Sequence, residues 1–277
     1  MNQLTNPEYL KDLFRHYQIK PKDVLGQNFL IDEIVLDEII GAADLKKTDT
    51  VLEVGPGLGI LTQQLATHAG KVISVEKDDN MMEILKINLK DYPNVKVVHQ
   101  DILQYHVSEQ IKGKYKVVAN IPYYLTSHLF QYFLKQKNKP ESMVFMIQKE
   151  VGERVTAEPG DMSVLAISVQ AFADAMIMAQ VPKECFWPIP KVNSVIIKIE
   201  PKLKYKAITD EKEFFKIVKV AFAAKRKQLH NNLSNGLGLS HDQVMDWLKI
   251  NNIEPTSRAE DLSIEDWVKL YITKTPQ

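Results

Sequence analysis

The chain has 277 residues, 45% of them hydrophobic and 25% charged, a composition that fits a folded globular protein and excludes a disordered or fibrous one. Thirty-five Lys and Arg balance 35 Asp and Glu, so the whole molecule cannot coat nucleic acid as a polycation, and any such contact needs a local patch. The single cysteine, Cys185, excludes an internal disulfide, a redox pair and any site built from several thiolates, and it fits a reducing, cytoplasmic setting.

The opening MNQLTNPEYLKDLFRHYQIK has no apolar stretch of the secretory kind. The longest run free of Asp, Glu, Lys and Arg, 117–134, is broken by Asn120, Pro122, His128 and Gln131. Neither secretion nor membrane spanning is expected. From residue 51 onward short β-branched runs alternate with helical patterns. VLEV (51–54) precedes ILTQQLATHA, and KVISVE (71–76) precedes NMMEILKINLKDY. VKVVHQD (95–101) follows, then KVVAN (116–120) before SHLFQYFLKQ, then SMVFMIQ (142–148). This alternation predicts an α/β fold with a parallel sheet covered on both faces, in which ligands sit beyond the carboxyl ends of the strands. Four polar residues stand there: Glu53, Glu76, Asp101 and Asn120.

An alternating run from Val192 to Glu200 is followed by Pro201 and Lys202, where the domain boundary is drawn: 1–200 as one domain and 201–277 as a small all-helical one. The second part reads as helical throughout, for example EFFKIVKVAFAAKRKQLHNNL and SHDQVMDWLKI. Charge divides the same way, −3 for 1–200 and +3 for 201–277, with nine basic and three acidic residues between Lys202 and Lys227. Such a run is either a solvated helix face or a phosphate contact.

Between the first strand and its helix lies Glu53-Val54-Gly55-Pro56-Gly57-Leu58-Gly59. Glycines let the backbone approach a ligand closely, but a dinucleotide fold wants G-x-G-x-x-G, and here the third glycine comes one residue early, which argues against NAD. By itself a glycine-rich strand-to-helix turn is a weak signal, and a merely tight turn is the alternative. Glu76, 21 residues past Gly55, stands where a carboxylate can accept both hydroxyls of a ribose, and Asp101 can accept from an exocyclic amine. Each alone could be a solvated strand end; together with the glycine turn they describe an adenosine-bearing cofactor.

Asn120-Ile121-Pro122-Tyr123 closes the fourth strand. Proline holds Ile121 extended and so fixes its carbonyl, which with the Asn120 side-chain oxygen offers two acceptors to one NH₂ group. An amine conjugated with an aromatic ring is a poor nucleophile, and two acceptors that rotate and pyramidalise it make attack feasible without a strong base. Tyr123 supplies an aromatic face for a flipped base. A second aromatic loop, Phe186-Trp187-Pro188-Ile189-Pro190, offers a ring for the opposite face or simply packs in the core. The seven histidines form no metal-ligand spacing, and no metal is expected.

These residues resemble the ribosomal RNA adenine N6-dimethyltransferase family over nearly the whole chain. LGQNFL (25–30), EVGPGLGILT (53–62), Glu76, Asp101, NIPYYLTS (120–127), QKEVGERV (148–155), FWPIPKVNSV (186–195) and RAEDLSIEDW (258–267) match its patterns in order. The resemblance implies a Rossmann-like S-adenosylmethionine-dependent methyltransferase sheet with a small C-terminal helical domain. It implies that Asn28, Leu30, Gly55, Gly57, Glu76, Asp101 and Asn120 line the cofactor site, and that Asn120, Ile121, Pro122, Tyr123 and Phe186 hold the target adenine. NIPYYLTS, KRKQLHNNL (225–233) and RAEDLS are similar to the housekeeping branch, which dimethylates two adjacent adenines in the 3′-terminal hairpin of small-subunit rRNA. Lys225 and His230 stand where arginines are common, and GDMSVLAISVQ lacks an aromatic before its serine; both departures touch RNA docking. Lys225, Arg226 and Lys227 are the expected RNA contacts. The expected partner is small-subunit rRNA within a pre-ribosomal particle, and the expected state a cytoplasmic monomer. A large-subunit rRNA methylase conferring macrolide resistance, and a non-catalytic nucleic-acid-binding relative, are the alternatives.

Overall fold

The computed structural model describes residues 2–22, 26–202 and 205–274. Among them the strands are β1 (Phe29–Leu30), β2 (Thr50–Val54), β3 (Lys71–Glu76), β4 (Val95–His99), β5 (Lys116–Asn120), β6 (Ser142–Gln148), β7 (Ala173–Val181), β8 (Phe186–Trp187) and β9 (Ser194–Pro201). The helices are α1 (Pro7–His16), α2 (Glu33–Ala43), α3 (Ile60–His68), α4 (Asp79–Asn88), α5 (Val107–Gln110) and α6 (Thr126–Leu134), followed by α7 (Lys149–Val155) and α8 (Val164–Gln170). The last four are α9 (Glu211–Ala221), α10 (Leu229–Leu237), α11 (His241–Ile250) and α12 (Ile264–Ile272).

The main sheet has the order β4-β3-β2-β5-β6-β9-β7. Its first five strands are parallel, and β2, β5 and β6 are nearly unbroken apolar runs because helices cover both faces. β9 lies antiparallel to β6, Gln148 opposite Ser194, so the sheet is mixed where the sequence pattern predicts a parallel one. A parallel neighbour needs a long crossover, usually helical, whereas β7 and β9 are joined without an α-helix. β7 carries no clear strand signal, since Met176 and Met178 point outward on an edge. A separate two-stranded sheet joins β1 to β8, with Phe29 opposite Trp187 and Leu30 opposite Phe186.

Local chemistry sets the helix ends. Asp32 accepts the N–H groups of Ile34 (2.9 Å) and Val35 (3.1 Å) to start α2, and Asp210 does the same for α9 with Lys212 and Glu213. Ser240 with Gln243 and Ser263 with Asp266 form reciprocal capping boxes at α11 and α12.

The chain divides into two compact units, residues 1–152 with 175–201, and residues 153–174 with 202–277. These units differ from the single boundary drawn after residue 200 in two places: 153–174 falls with the second unit, and Pro201 with the first. There Met162, Ala166, Ile167 and Ala171 are buried in one core with Phe214, Ile217, Val218, Leu233, Trp247 and Trp267. One helical expectation is corrected in this unit. The run EFFKIVKVAFAAKRKQLHNNL is two helices, α9 ending at Ala221 and α10 starting at Leu229, so Lys225, Arg226 and Lys227 sit in the intervening loop. The break has a cause: the buried Asn232 amide donates to Ala221 O (2.7 Å) and Ala224 O (3.0 Å), satisfying carbonyls a continuous helix would have used. Among the described residues no helix is long and apolar enough to cross a membrane.

Candidate functional site

In the parallel part of the sheet the strand order reverses between β2 and β5, the switch point at which open α/β sheets form their ligand crevice. The turns after β2, β3, β4 and β5 line one cleft there. After β2 the chain passes through Gly55 (φ 64°) and Gly57 (φ 57°), left-handed conformations that a side chain would strain. At Gly57 a Cβ would also sit 3.1 Å from the Phe29 ring.

Glu76 closes β3 with its side chain buried. One oxygen, Oε1, accepts the N–H groups of Lys77 (2.7 Å) and Asp78 (2.8 Å), and Oε2 accepts that of Gly57 (3.1 Å). Burial raises its pKa above the ordinary carboxylate value despite these three donors. The remaining lone pairs can accept hydroxyl groups. β4 stops at His99, two residues short of the end expected from sequence, and Asp101 instead caps the next turn. Its Oδ1 accepts the Leu103 N–H (3.0 Å), and Oδ2 lies 2.8 Å from Lys77 Nζ. Burial works against ionisation of Asp101, but the Lys77 ammonium and the Leu103 N–H outweigh it and hold the carboxyl below its usual range. Behind them Glu53, only 1% exposed, accepts the hydroxyls of Thr62 and Ser74 through Oε2, both at 2.7 Å. Burial pushes its pKa up to about 7 against those two bonds.

Asn120 ends β5, and its Nδ2 donates to the carbonyl of Asn28 (3.2 Å), which leaves Oδ1 as the face for an incoming donor. The next peptide is fixed by Ile121 N–H donating to Met146 O (3.1 Å) and by Pro122 (φ −54°). Tyr123 is partly buried, with its hydroxyl 3.1 Å from Ser194 Oγ, and burial raises its phenol pKa. Of the two rings in the second aromatic loop, Phe186 lines the cleft, while Trp187 packs against Phe14 and Phe29 with ring centroids 5.2 and 6.4 Å apart.

The structure thus gathers Asn28, Leu30, Gly55, Gly57, Glu76, Asp101, Asn120, Ile121, Pro122, Tyr123 and Phe186 around one cleft. Lys225, Arg226 and Lys227 belong to the other unit, where all three are exposed. Leu25 of LGQNFL, and Leu203 and Lys204 of the basic run, lie outside the described residues. The cleft also takes in Glu53, singled out above as a strand-end acid but given no role, and Gln27, Lys77, Gln100, Leu103 and Tyr124. Gln27 and Tyr124 fall inside the motifs LGQNFL and NIPYYLTS, whereas Lys77, Gln100 and Leu103 are neighbours of named residues with no signal of their own.

The lining chemistry limits what fits. Two carboxylates, Glu76 and Asp101, face a cleft whose one Lys or Arg among the described residues, Lys77, is already paired. A diphosphate would be repelled, whereas a cationic cofactor with ribose hydroxyls and an exocyclic amine finds acceptors at each place. The residues present fit S-adenosylmethionine.

Comparison with known proteins agrees. The family model described as ribosomal RNA adenine dimethylase matches residues 16–275. A "Ribosomal RNA small subunit methyltransferase A" of Dehalococcoides mccartyi is 45% identical over 266 residues, covering 95% of this chain and 91% of that protein. The crystal structure of a dimethyladenosine transferase from Plasmodium falciparum superposes with a TM-score of 0.73 at 30% identity, over 87% of this chain and 95% of that one. The crystal structure of the 23S rRNA methyltransferase ErmE gives a TM-score of 0.72 at 26% identity, over 88% and 98%.

Proposed function

The chain belongs to the ribosomal RNA adenine dimethylase family, and on that premise we propose that it dimethylates N6 of two adjacent adenines in the 3′-terminal hairpin of small-subunit rRNA, using S-adenosylmethionine. The observation that carries this reading is the Asn120 amide, whose nitrogen is committed to Asn28 O and whose oxygen is therefore left to accept from an amine.

When bound, S-adenosylmethionine supplies an electrophilic methyl on a sulfonium. Glu76 would accept the ribose hydroxyls and Asp101 the amine of the cofactor's adenine, with Asn28, Leu30, Gly55 and Gly57 closing around it. The target adenine would lie between Tyr123 and Phe186. In the first transfer Asn120 Oδ1 and the Ile121 carbonyl would accept the two N6 hydrogens, and in the second one of them would accept the hydrogen that remains, turning the nitrogen lone pair out of conjugation, toward the methyl. Positive charge grows on N6 during transfer, so both acceptors hold the transition state more tightly than the ground state. The methylated amine then sheds its proton readily, and no side-chain base is required.

Affinity for RNA would come from Lys225, Arg226 and Lys227, exposed on a loop where phosphates can reach them. We place the reaction in the cytoplasm, on a pre-ribosomal particle, with the protein acting as a monomer. Curated relatives of 38–45% identity carry the small-subunit name, which favours this substrate over large-subunit RNA.

The test is mass spectrometry of nuclease-digested rRNA after incubating protein and S-adenosylmethionine with small subunits from a strain lacking the dimethylation, and with free large-subunit rRNA in parallel. N6,N6-dimethyladenosine confined to the small-subunit sample is the expected result. The same product only in large-subunit RNA would move the protein to the resistance branch, and none in either would leave a binding factor.

A further inference from the structure

Asp78 is buried, 4% exposed, yet it does not line the cleft. It caps α4 by accepting the Asn80 N–H (3.1 Å), a task for one oxygen. The rest of its acceptor capacity goes to residues far away in sequence. Oδ1 meets Lys22 Nζ at 2.7 Å, and Oδ2 accepts from Gln27 Nε2, also at 2.7 Å. Burial opposes ionisation here, but these donors outweigh it and hold the carboxyl below its ordinary range. A buried carboxylate is costly unless each oxygen is satisfied, so its partners are strongly determined.

Gln27 is held at both ends of its amide, since its Oε1 accepts the Lys22 N–H (2.8 Å). The next residue, Asn28, offers the carbonyl that binds Asn120 Nδ2. Two further residues pair with β8, and Ile31 N–H donates to Cys185 O (2.9 Å). The segment Gly26–Leu30 is thus a strap, fixed to Asp78 at one end and to the strand bearing Phe186 at the other. Asn120 needs such a partner. A half-turn of its amide would exchange oxygen for NH₂ and set a donor against the adenine amine.

We infer that Asp78 is a positioning residue, which through Gln27 fixes the strap whose Asn28 carbonyl turns the Asn120 amide toward the target adenine. The inference rests on the reading of Asn120 given above. It also joins two parts of the site, because the Asp78 N–H donates to Glu76 (2.8 Å): the proposed ribose acceptor and the strap anchor share one turn of chain.

The test uses the full-length protein and reverses the polarity of the pair. Gln27→Glu sets two carboxylates face to face. Gln27→Glu with Asp78→Asn restores a donor and an acceptor with their roles exchanged, and the carboxylate introduced at position 27 can still accept the Lys22 N–H. Three quantities are measured: affinity for S-adenosylhomocysteine by calorimetry, the single-turnover methylation rate at saturating cofactor and RNA, and the NMR resonances of the Asn120 side-chain amide, assigned by their loss in Asn120→Ala. Gln27→Glu is expected to slow the saturated rate about tenfold or more, as misplacement of a reacting group does. It should also shift the Asn120 amide resonances, and the reversed pair should return both to near wild type. A saturated rate that stays unchanged while affinity falls would overturn the inference, leaving an anchor for cofactor binding alone. Failure of the reversed pair to recover would also overturn it, because the negative charge placed in the cleft at position 27 would then be the cause. If the wild-type protein methylates no small subunits, the substrate reading fails by itself. The anchor is then decided by the Asn120 resonances, which either move in Gln27→Glu and return in the pair, or refute it.

Discussion

Replacing Glu76 by Gln removes one charge and changes almost no volume, and the structure says why it should still be costly. Three backbone N–H groups converge on the two carboxylate oxygens, from Lys77 at 2.7 Å, Asp78 at 2.8 Å and Gly57 at 3.1 Å. An amide has one accepting end. If its oxygen takes the Lys77 and Asp78 donors, its NH₂ faces the Gly57 N–H, and the reverse choice leaves two donors opposed. The cofactor's ribose meets the same shortage, since one of its hydroxyls loses a charged acceptor. Such a hydrogen bond contributes about 1.5–3 kcal/mol, so the dissociation constant should rise roughly 10- to 150-fold. Isothermal titration with S-adenosylhomocysteine measures this without the sulfonium charge. A 2′-deoxyribose analogue completes a double-mutant cycle: its penalty should be large with wild type and small with Glu76→Gln. A variant affinity within about threefold of wild type, or equal penalties for the analogue on both proteins, would refute the role given to Glu76.

Asn120→Ala should lower the single-turnover rate at saturating cofactor by about 10²–10³-fold, the usual cost of deleting one transition-state hydrogen-bond partner, with RNA affinity by filter binding changed only a few-fold. Equal losses in both would contradict it. Neutralising Lys225, Arg226 and Lys227 together should reduce the slope of log affinity against log salt by about 2, if each meets a single-stranded phosphate; an unchanged slope removes them from the interface. Glu53 makes stability depend on pH. Its folded pKa of about 7 lies above the ordinary 4.5, so between those values the folded chain holds a proton that the unfolded chain has lost. Stability then falls as pH rises through this window, by up to about 1.4 kcal/mol per unit, and levels off above it. Glu53→Gln keeps an oxygen for Thr62 and Ser74 and should flatten that part of the curve in denaturant titrations; parallel curves for both proteins would exclude Glu53 as the source.

The sheet is largely legible in the sequence because its signals are local. KVISVE, KVVAN and SMVFMIQ are runs of residues buried on both faces, and their strand limits match the pattern to the residue. Asp101 lines the cleft, but the strand-end pattern gives an incomplete reason for it: the residue caps a turn after the strand has ended, which a run of valines cannot reveal. The basic triplet reads as helical because every residue in it favours a helix. What ends the helix is the Asn232 amide, a contact made from the following helix. The strap is out of reach for the same kind of reason, since Asp78 and Gln27 stand 51 residues apart and neither is unusual in its own neighbourhood. Sequence shows which residues face a ligand more readily than which residues hold them in place.

The stretch 153–174, which lies between β6 and most of β7 in the chain but counts with the helical unit, limits how this protein can be taken apart. A gene fragment stopped after Pro201 would keep Met162, Ala166, Ile167 and Ala171 while losing the aromatic and aliphatic side chains of 214–267 that cover them. Conversely, a fragment begun at Lys202 would lack part of its own interior. Recombination at that point would damage both products, so a chimera between relatives keeps the helical core whole only when both of its segments come from one parent.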